Sequence, residues 1–369
     1  MKHGVQFPAW LTKRSTVWIL LVPMFGVAVL LQLFASSLVV DIYTQFCVNL
    51  MIVVALQAFM GNSGILAWTH VGFMGIGAYA SGILSMAPMV KSLGVPNMYP
   101  VLVDVQVPIL AAIALGGVVA ALVAALIGWP LMRLSDAVGV ITLFATLIVM
   151  HVVMTQWDNV TNGPRTFFGL QKFTELWVGV IGAAIVIFVV HWYRESSPGL
   201  RLRSSRDDRY AAMAIGINVV QVRYIGFVFS ALLAGIGGGV WAHLITSFSP
   251  KAFYIVEMFV LLTMLVIGGQ GSVSGAFVGT AIVTAARQFL IQVESGINNS
   301  GALTFEVFGL TDIVLAILMV VVLIWRPNGI AGSQEFTWPR IRRRKPSAAD
   351  ETASTEAARG RHVRVRTGR

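Results

Sequence analysis

Long apolar stretches alternate with short polar ones along the whole chain. Apolar residues dominate positions 17–34, 42–60, 65–86, 107–127, 138–155, 176–193, 224–245, 256–267, 275–291 and 307–325. Most of these runs match the ~20 residues that a helix needs to cross ~30 Å of hydrocarbon. Continuous apolar runs predict helices, whereas the strands of a membrane barrel alternate apolar and polar residues. The pattern therefore predicts an all-α, polytopic membrane protein of about ten transmembrane helices. The third run is unusual. Gly61-Asn62-Ser63-Gly64 precedes it and Trp68-Thr69-His70 lies within it, which predicts a broken or re-entrant helix. Beyond His70 it carries Gly72, Gly75, Gly77 and Gly82 with Ala78, Ala80 and Ser81, small residues that let helices approach closely.

One segment does not fit this alternation. Residues 194–223, between the sixth and seventh runs, are polar and carry six arginines. Within them Ser204-Ser205-Arg206-Asp207-Asp208 precedes the helix-favouring run from Tyr210 to Ile215, and Gly216 stops it. This is the composition of a short helix with an N-terminal cap, acidic residues suited to the helix dipole, and a glycine stop. Such a helix has little to bury in lipid. It is either a docking surface for an aqueous partner or a solvated connector.

Composition agrees with a membrane protein. Of 369 residues 57% are hydrophobic and 11% charged, against about a quarter charged in a soluble domain. The net charge of +10 is uneven, with eleven of the 26 Lys and Arg lying from Arg326 onward. Lys2, Lys13, Arg14, Arg133, the central arginines and that basic tail fall on one set of connecting segments. Only Lys91, Arg165, Lys172 and Lys251 fall on the other. The positive-inside bias then places both termini and residues 194–223 in the cytoplasm of a cell with the chain in its inner membrane, and accounts for the basic excess without nucleic acid. The expected division is a cytoplasmic N-terminus over 1–16, a transmembrane domain over 17–332, and a basic, disordered cytoplasmic tail over 333–369. The basic cluster from Arg340 to Lys345 either touches anionic lipid headgroups or only solubilises the tail. Lys13 and Arg14 before the first run supply the positive start of a signal peptide; the run is long for one, so a retained first span is expected. Cys47 is the single cysteine, so no disulfide forms within the chain.

Catalytic signatures are missing. No lysine follows a glycine, so there is no phosphate-binding loop and no built-in ATPase. There is no metal-ligand cluster and no nucleophile elbow. The expectation is a transporter component without a cofactor of its own, not an enzyme. Ionisable residues inside apolar runs are functional candidates. They are few: Arg287, Glu257 and Asp312, with Asp312 or Glu306 as candidate partners for Arg287. That sparseness argues against a proton-coupled pump and fits a path for a small neutral or zwitterionic solute.

Four stretches together resemble one family. The first contains Asn49-Leu50, Gly61 to Gly64, His70-Val71-Gly72-Phe73 and Ile76-Gly77-Ala78-Tyr79. The second contains Ile141-Thr142-Leu143-Phe144, Trp157-Asp158, Thr161-Asn162-Gly163 and Gly169-Leu170. The third runs from Arg206-Asp207-Asp208 through Ala211 to Asn218, then Phe227, Ser230-Ala231 and Ala234-Gly235. The fourth pairs Gly268 to Ser272 and Gly275 with Arg326 to Gly329. They are similar to the permease subunits of ABC importers of the branched-chain amino acid type, in the LivM-like branch, over residues 38–332. The third stretch is the most specific.

The resemblance implies that the helix around residues 206–218 couples to a cytoplasmic ATPase. Arg206, Asp207, Asp208 and Arg209 would make polar contacts with it. Ala211, Ala212 and Ile215 would pack against it, Gly216 would set the exit angle, and Asn218 would close the motif. The implied partners are ATPase subunits that bind the ATP, a second related permease, a periplasmic substrate-binding protein and membrane lipid. The implied cargo is branched-chain or related amino acids; urea or short amides, or a stand-alone transporter or channel, remain alternatives. Asn49, Trp68, Thr69, His70 and Thr142 would line the translocation path. Ala67-Trp68-Thr69-His70 departs from the family's Ser-Leu-Gly-His-like run, which leaves the solute open, and the tail is longer than usual.

Overall fold

A computed structural model describes residues 15–299, 309–326, 329–332 and 335. In chain order the α-helices are α1 (Ser15–Phe34), α2 (Ser37–Leu56), α3 (His70–Ser85), α4 (Pro88–Gly94), α5 (Pro100–Val103), α6 (Ile109–Met132), α7 (Asp136–Gln156), α8 (Asp158–Thr161), α9 (Leu176–Glu195), α10 (Ser197–Asp207), α11 (Arg209–Ala214), α12 (Val219–Ile245), α13 (Ile255–Gly268), α14 (Val273–Asn299) and α15 (Leu310–Trp325). Among the described residues the only β pairing is one bridge between Phe167 and Phe248.

The all-helical expectation holds, but the count of about ten spans is not matched. Among the described residues seven helices are long and apolar enough to cross a membrane: Thr16–Phe34, Ser37–Gly61, Ile109–Met132, Asp136–Gln156, Leu176–Glu195, Val219–Ile245 and Val273–Asn298. The other three predicted spans are shorter. α13 has 14 residues and α15 has 16, so at 1.5 Å per residue they reach only about 21–24 Å. The third predicted span is broken, as its sequence suggested. α2 passes into a π turn over Gln57–Gly61, the chain is irregular over 64–67 and turns at Trp68-Thr69, and α3 starts only at His70. π turns collect at functional sites because they loosen the regular hydrogen-bond ladder.

α12 is the central helix. It packs on α6, α3 and α2, while α9 packs on α2 and α13 on α14. Its apolar window is 72% buried, against 22% for the first span and 28% for α7. Glycine explains how three helices crowd together. A Cβ on Gly116 of α6 would lie 2.7 Å from the Gly77 carbonyl oxygen of α3, and a Cβ on Gly238 of α12 would overlap the Met74 backbone of α3. Without hydrophobic drive inside lipid, such close backbone approach supplies the packing attraction.

The fourth family-like stretch is one structural unit. Ile330 N–H donates to Ile267 O at 2.8 Å and Ala331 N–H to Gly268 O at 2.9 Å, which lays the chain after α15 along the end of α13. Glu335 continues this contact. Its carboxylate accepts from Val273 N–H at 2.8 Å and Ser274 N–H at 3.0 Å, capping α14, and pairs with the buried Arg194 guanidinium of α9. Glu335 thus supplies the negative charge that a buried arginine and an open helix start both need. The remaining tail, including Arg340 to Lys345, lies outside the described residues, as does Glu306.

Candidate functional site

The polar segment folds as two short helices with a break at Asp208. Ser197 to Asp207 was not expected as a helix; it forms because Pro198 sits in its first turn, where proline needs no N–H partner. Asp208 is extended (φ −152°) and its Oδ1 accepts from Tyr210 N–H and Ala211 N–H, both at 2.9 Å. α11 is thus a capped helix, with Asp208 in the cap position and no acidic residue in the first turn, where the sequence suggested its acids. At its other end Gly216 has φ +85°, Gly216 N–H donates to Met213 O and Ile217 N–H to Ala212 O, each at 3.0 Å. This is the paired C-terminal closure that a left-handed glycine allows.

The side chains divide differently from the expectation. Asp207, Asp208, Ala211 and Ile215 are exposed, and Tyr210 and Met213, which the residue pattern does not single out, join them. Tyr210 is 80% and Ile215 75% exposed, so α11 presents an apolar face to its surroundings. Ala212 is a correction. It is buried against its own chain, since on a six-residue helix one side must hold the helix down. Arg206 lies on α10, not α11, and its guanidinium donates to Gly61 O at the end of the π turn. Arg209 lies 3.7 Å from Asp136, the first residue of α7, which also takes a 2.7 Å bond from the buried Arg223 of α12. Asn218 is exposed and caps α12 through Gln221 N–H at 3.1 Å. The segment is therefore tied to α2 through Arg206 and to α7 and α12 through Asp136. A groove of about 290 Å³ runs beside it, with Pro198, Arg201, Ile215 and Ile225 in its walls.

The five residues expected along the path do not converge. His70 is fully buried, and its Nε2 lies 2.9 Å from Ser230 Oγ. Because the Ser230 hydroxyl donates to Phe227 O, it accepts from Nε2–H. Thr69 is buried beside it. Trp68 packs edge-on to Phe144 and Phe259. Thr142 Oγ1 donates to Val138 O within its own helix. Asn49, by contrast, lines a cavity. That cavity, about 300 Å³, is bounded by α2, α12, α13 and α14 and holds Gln45, Asn49, Glu257, Thr284 and Arg287. Among the described residues Arg287 pairs with Glu257 at 3.7 Å and not with Asp312; the other candidate partner, Glu306, lies outside them. α13 and α14 are adjacent, and this brings together two charges that lie thirty positions apart in the chain.

A family model described as branched-chain amino acid transport system, permease component, matches residues 38–323. The chain belongs to this family. It is 24% identical over 349 residues to the high-affinity branched-chain amino acid transport system permease protein LivM of Salmonella typhimurium, covering 85% of this chain and 74% of that one. To LivM of Escherichia coli K12 it is 23% identical, over 90% of this chain and 78% of the relative. The guanosine ABC transporter permease protein NupQ of Bacillus subtilis is 30% identical over 145 residues, 36% of this chain and 46% of its own length. No solved structure matches. The permease is thus a multi-pass membrane protein of a family whose named members are transporter components rather than enzymes.

Proposed function

We propose that this permease is the membrane subunit of an ATP-driven importer that carries branched-chain or related amino acids into the cytoplasm. Separate ATPase subunits grip α10 and α11, and ATP stays with them. A second, related permease completes the path, and a periplasmic binding protein delivers the solute. In this reading both termini and residues 194–223 face the cytoplasm, as the loop charges require.

The observation that carries the reading is the α11 face. Tyr210, Met213 and Ile215 are exposed on a helix capped at both ends, in a segment too polar to enter lipid. Arg206–Gly61 and Arg209–Asp136–Arg223 supply the route by which a push on this segment moves α2, α7 and α12. Two-state rearrangement of such tied helices is how a local push becomes alternate access. The similarity to NupQ supports a second reading of the cargo, a nucleoside, with the same coupling.

The test is cross-linking of Ile215→Cys to cysteines placed on the ATPases encoded with this chain, together with uptake by the reconstituted complex. A specific cross-link and ATP-dependent uptake are expected. Uptake by this chain in liposomes without any ATPase would instead make it a stand-alone transporter.

A further inference from the structure

The cavity between α2, α13 and α14 has features that packing alone does not explain. Its two charges, Glu257 and Arg287, have side chains 18% and 31% exposed and stand 3.7 Å apart, wider than a hydrogen bond. Charged groups at membrane depth are costly, and a loose pair recovers little of that cost. Thr284, one turn before Arg287 on α14, is 8% exposed, lines the same cavity, and its Oγ1 has no hydrogen-bond partner among the described residues. A buried hydroxyl left unpaired costs about 1–3 kcal/mol. Opposite them on α2, the Gln45 amide donates to Asn49 Oδ1 at 3.1 Å and holds two further polar groups at the wall. The volume of about 300 Å³ is at the small end of small-molecule sites.

We infer that this cavity is a binding site for a zwitterionic α-amino acid, with Arg287 taking the carboxylate and Glu257 the ammonium. The inference rests on the importer reading and names its solute site. A zwitterion gives each charge a close partner of opposite sign, and an Arg–carboxylate contact forms two parallel hydrogen bonds. Thr284 Oγ1 and the α2 amides complete the polar end. Ile42, Trp241, Ile245 and Ile291 give the wall an apolar part that suits an apolar side chain. A neutral nucleoside offers no counter-charge and leaves the pair desolvated without return. The position also fits uptake. The cavity reaches Ile245, the last residue of α12, while α11 adjoins its first residue, Val219. A 27-residue helix is about 40 Å long, so the site lies near the end of α12 away from α11.

The native chain makes the test clean, because its single cysteine, Cys47, is fully buried. Gln288→Cys in the full chain places a thiol in the cavity wall. In membrane vesicles a cationic methanethiosulfonate reagent labels it, and millimolar L-leucine is expected to slow labelling at least fivefold. L-leucinamide, isocaproate and guanosine, which lack one or both charges, leave the rate unchanged. Arg287→Gln or Glu257→Gln, in the Gln288→Cys background, abolishes the leucine effect, each variant being compared with its own rate without leucine. An unreactive thiol, protection by guanosine, or protection by leucine that survives both charge removals overturns the site. The assay needs no ATPase. Leucine protection without ATP-dependent uptake therefore sinks the importer reading alone, and ATP-dependent leucine uptake without protection sinks this site alone.

Discussion

Asp208→Ala removes the cap of α11 and leaves everything else in place. α11 has six residues, far below the ~12 at which an isolated helix holds together in water. It persists because Asp208 Oδ1 satisfies two N–H groups at 2.9 Å, Gly216 closes the other end, and Ala212 anchors the middle. Loss of an N-cap costs about 0.5–2 kcal/mol, and two bonds to an ionised acceptor place Asp208 in the upper half of that range. At 1.4 kcal/mol per tenfold change, a loss of about 1–2 kcal/mol lowers the ordered population ratio roughly five- to thirtyfold. Two readouts follow. Amide exchange at Tyr210 and Ala211 should accelerate by that factor, and ATP-dependent uptake by the assembled importer should fall several-fold at unchanged permease level in the membrane. Asp208→Asn keeps the acceptor and loses the charge, so it should behave almost as the native protein. Unchanged exchange and uptake in the alanine variant would refute the argument. If the asparagine variant fails equally, the Asp208 charge acts on a partner and the cap is incidental.

Other residues give equally definite expectations. Gly238→Ala should lower the melting temperature of the detergent-solubilised protein, since overpacking against the Met74 backbone costs about 1–3 kcal/mol. Gly26→Ala, with open space around it, should gain the ordinary helix advantage of alanine, so equal melting of the two would refute close backbone packing. Glu335→Ala should destabilise by about 3–5 kcal/mol by stranding the buried Arg194, and the double change with Arg194→Met should recover much of it in thermal unfolding. Lys91 is fully buried and donates to Leu102 O at 3.0 Å, as well as to Val105 O. Lys91→Met should unlock residues 88–105 to proteolysis, because those carbonyls lose their donor. Burial holds the Lys91 ammonium below the ordinary lysine value of 10.5, with Asp104 opposing the shift. The unfolded chain therefore keeps this proton to higher pH, and stability should rise with pH in the window just below 10.5 and lose that slope in Lys91→Met, as measured by unfolding at several pH values.

The sequence by itself determined what depends on neighbours along the chain. Apolar runs separated by breakers specified an all-helical membrane protein, because the length of a run and the thickness of a bilayer settle the matter locally. That a capped helix starts before Tyr210 and stops at Gly216 was legible for the same reason, since caps and stops act over three or four residues, although the structure makes Asp208 the cap where an acidic first turn was expected. The break before His70 was marked by its glycines and polar residues. Tertiary structure decided which way each side chain faces and which distant groups meet. Ala212 turns inward and Tyr210 outward, although composition alone treats the whole run alike. Arg206 finds a carbonyl 145 positions away, and Arg287 finds Glu257 across a helix pair rather than Asp312. Among the described residues seven helices reach crossing length; the third run is broken by the π turn and irregular stretch before α3, and α13 ends at Gly268-Gly269. Periodicity and caps act within a helix, whereas a cavity is made by the rotation and depth of several helices packed together, and no single stretch of sequence carries those.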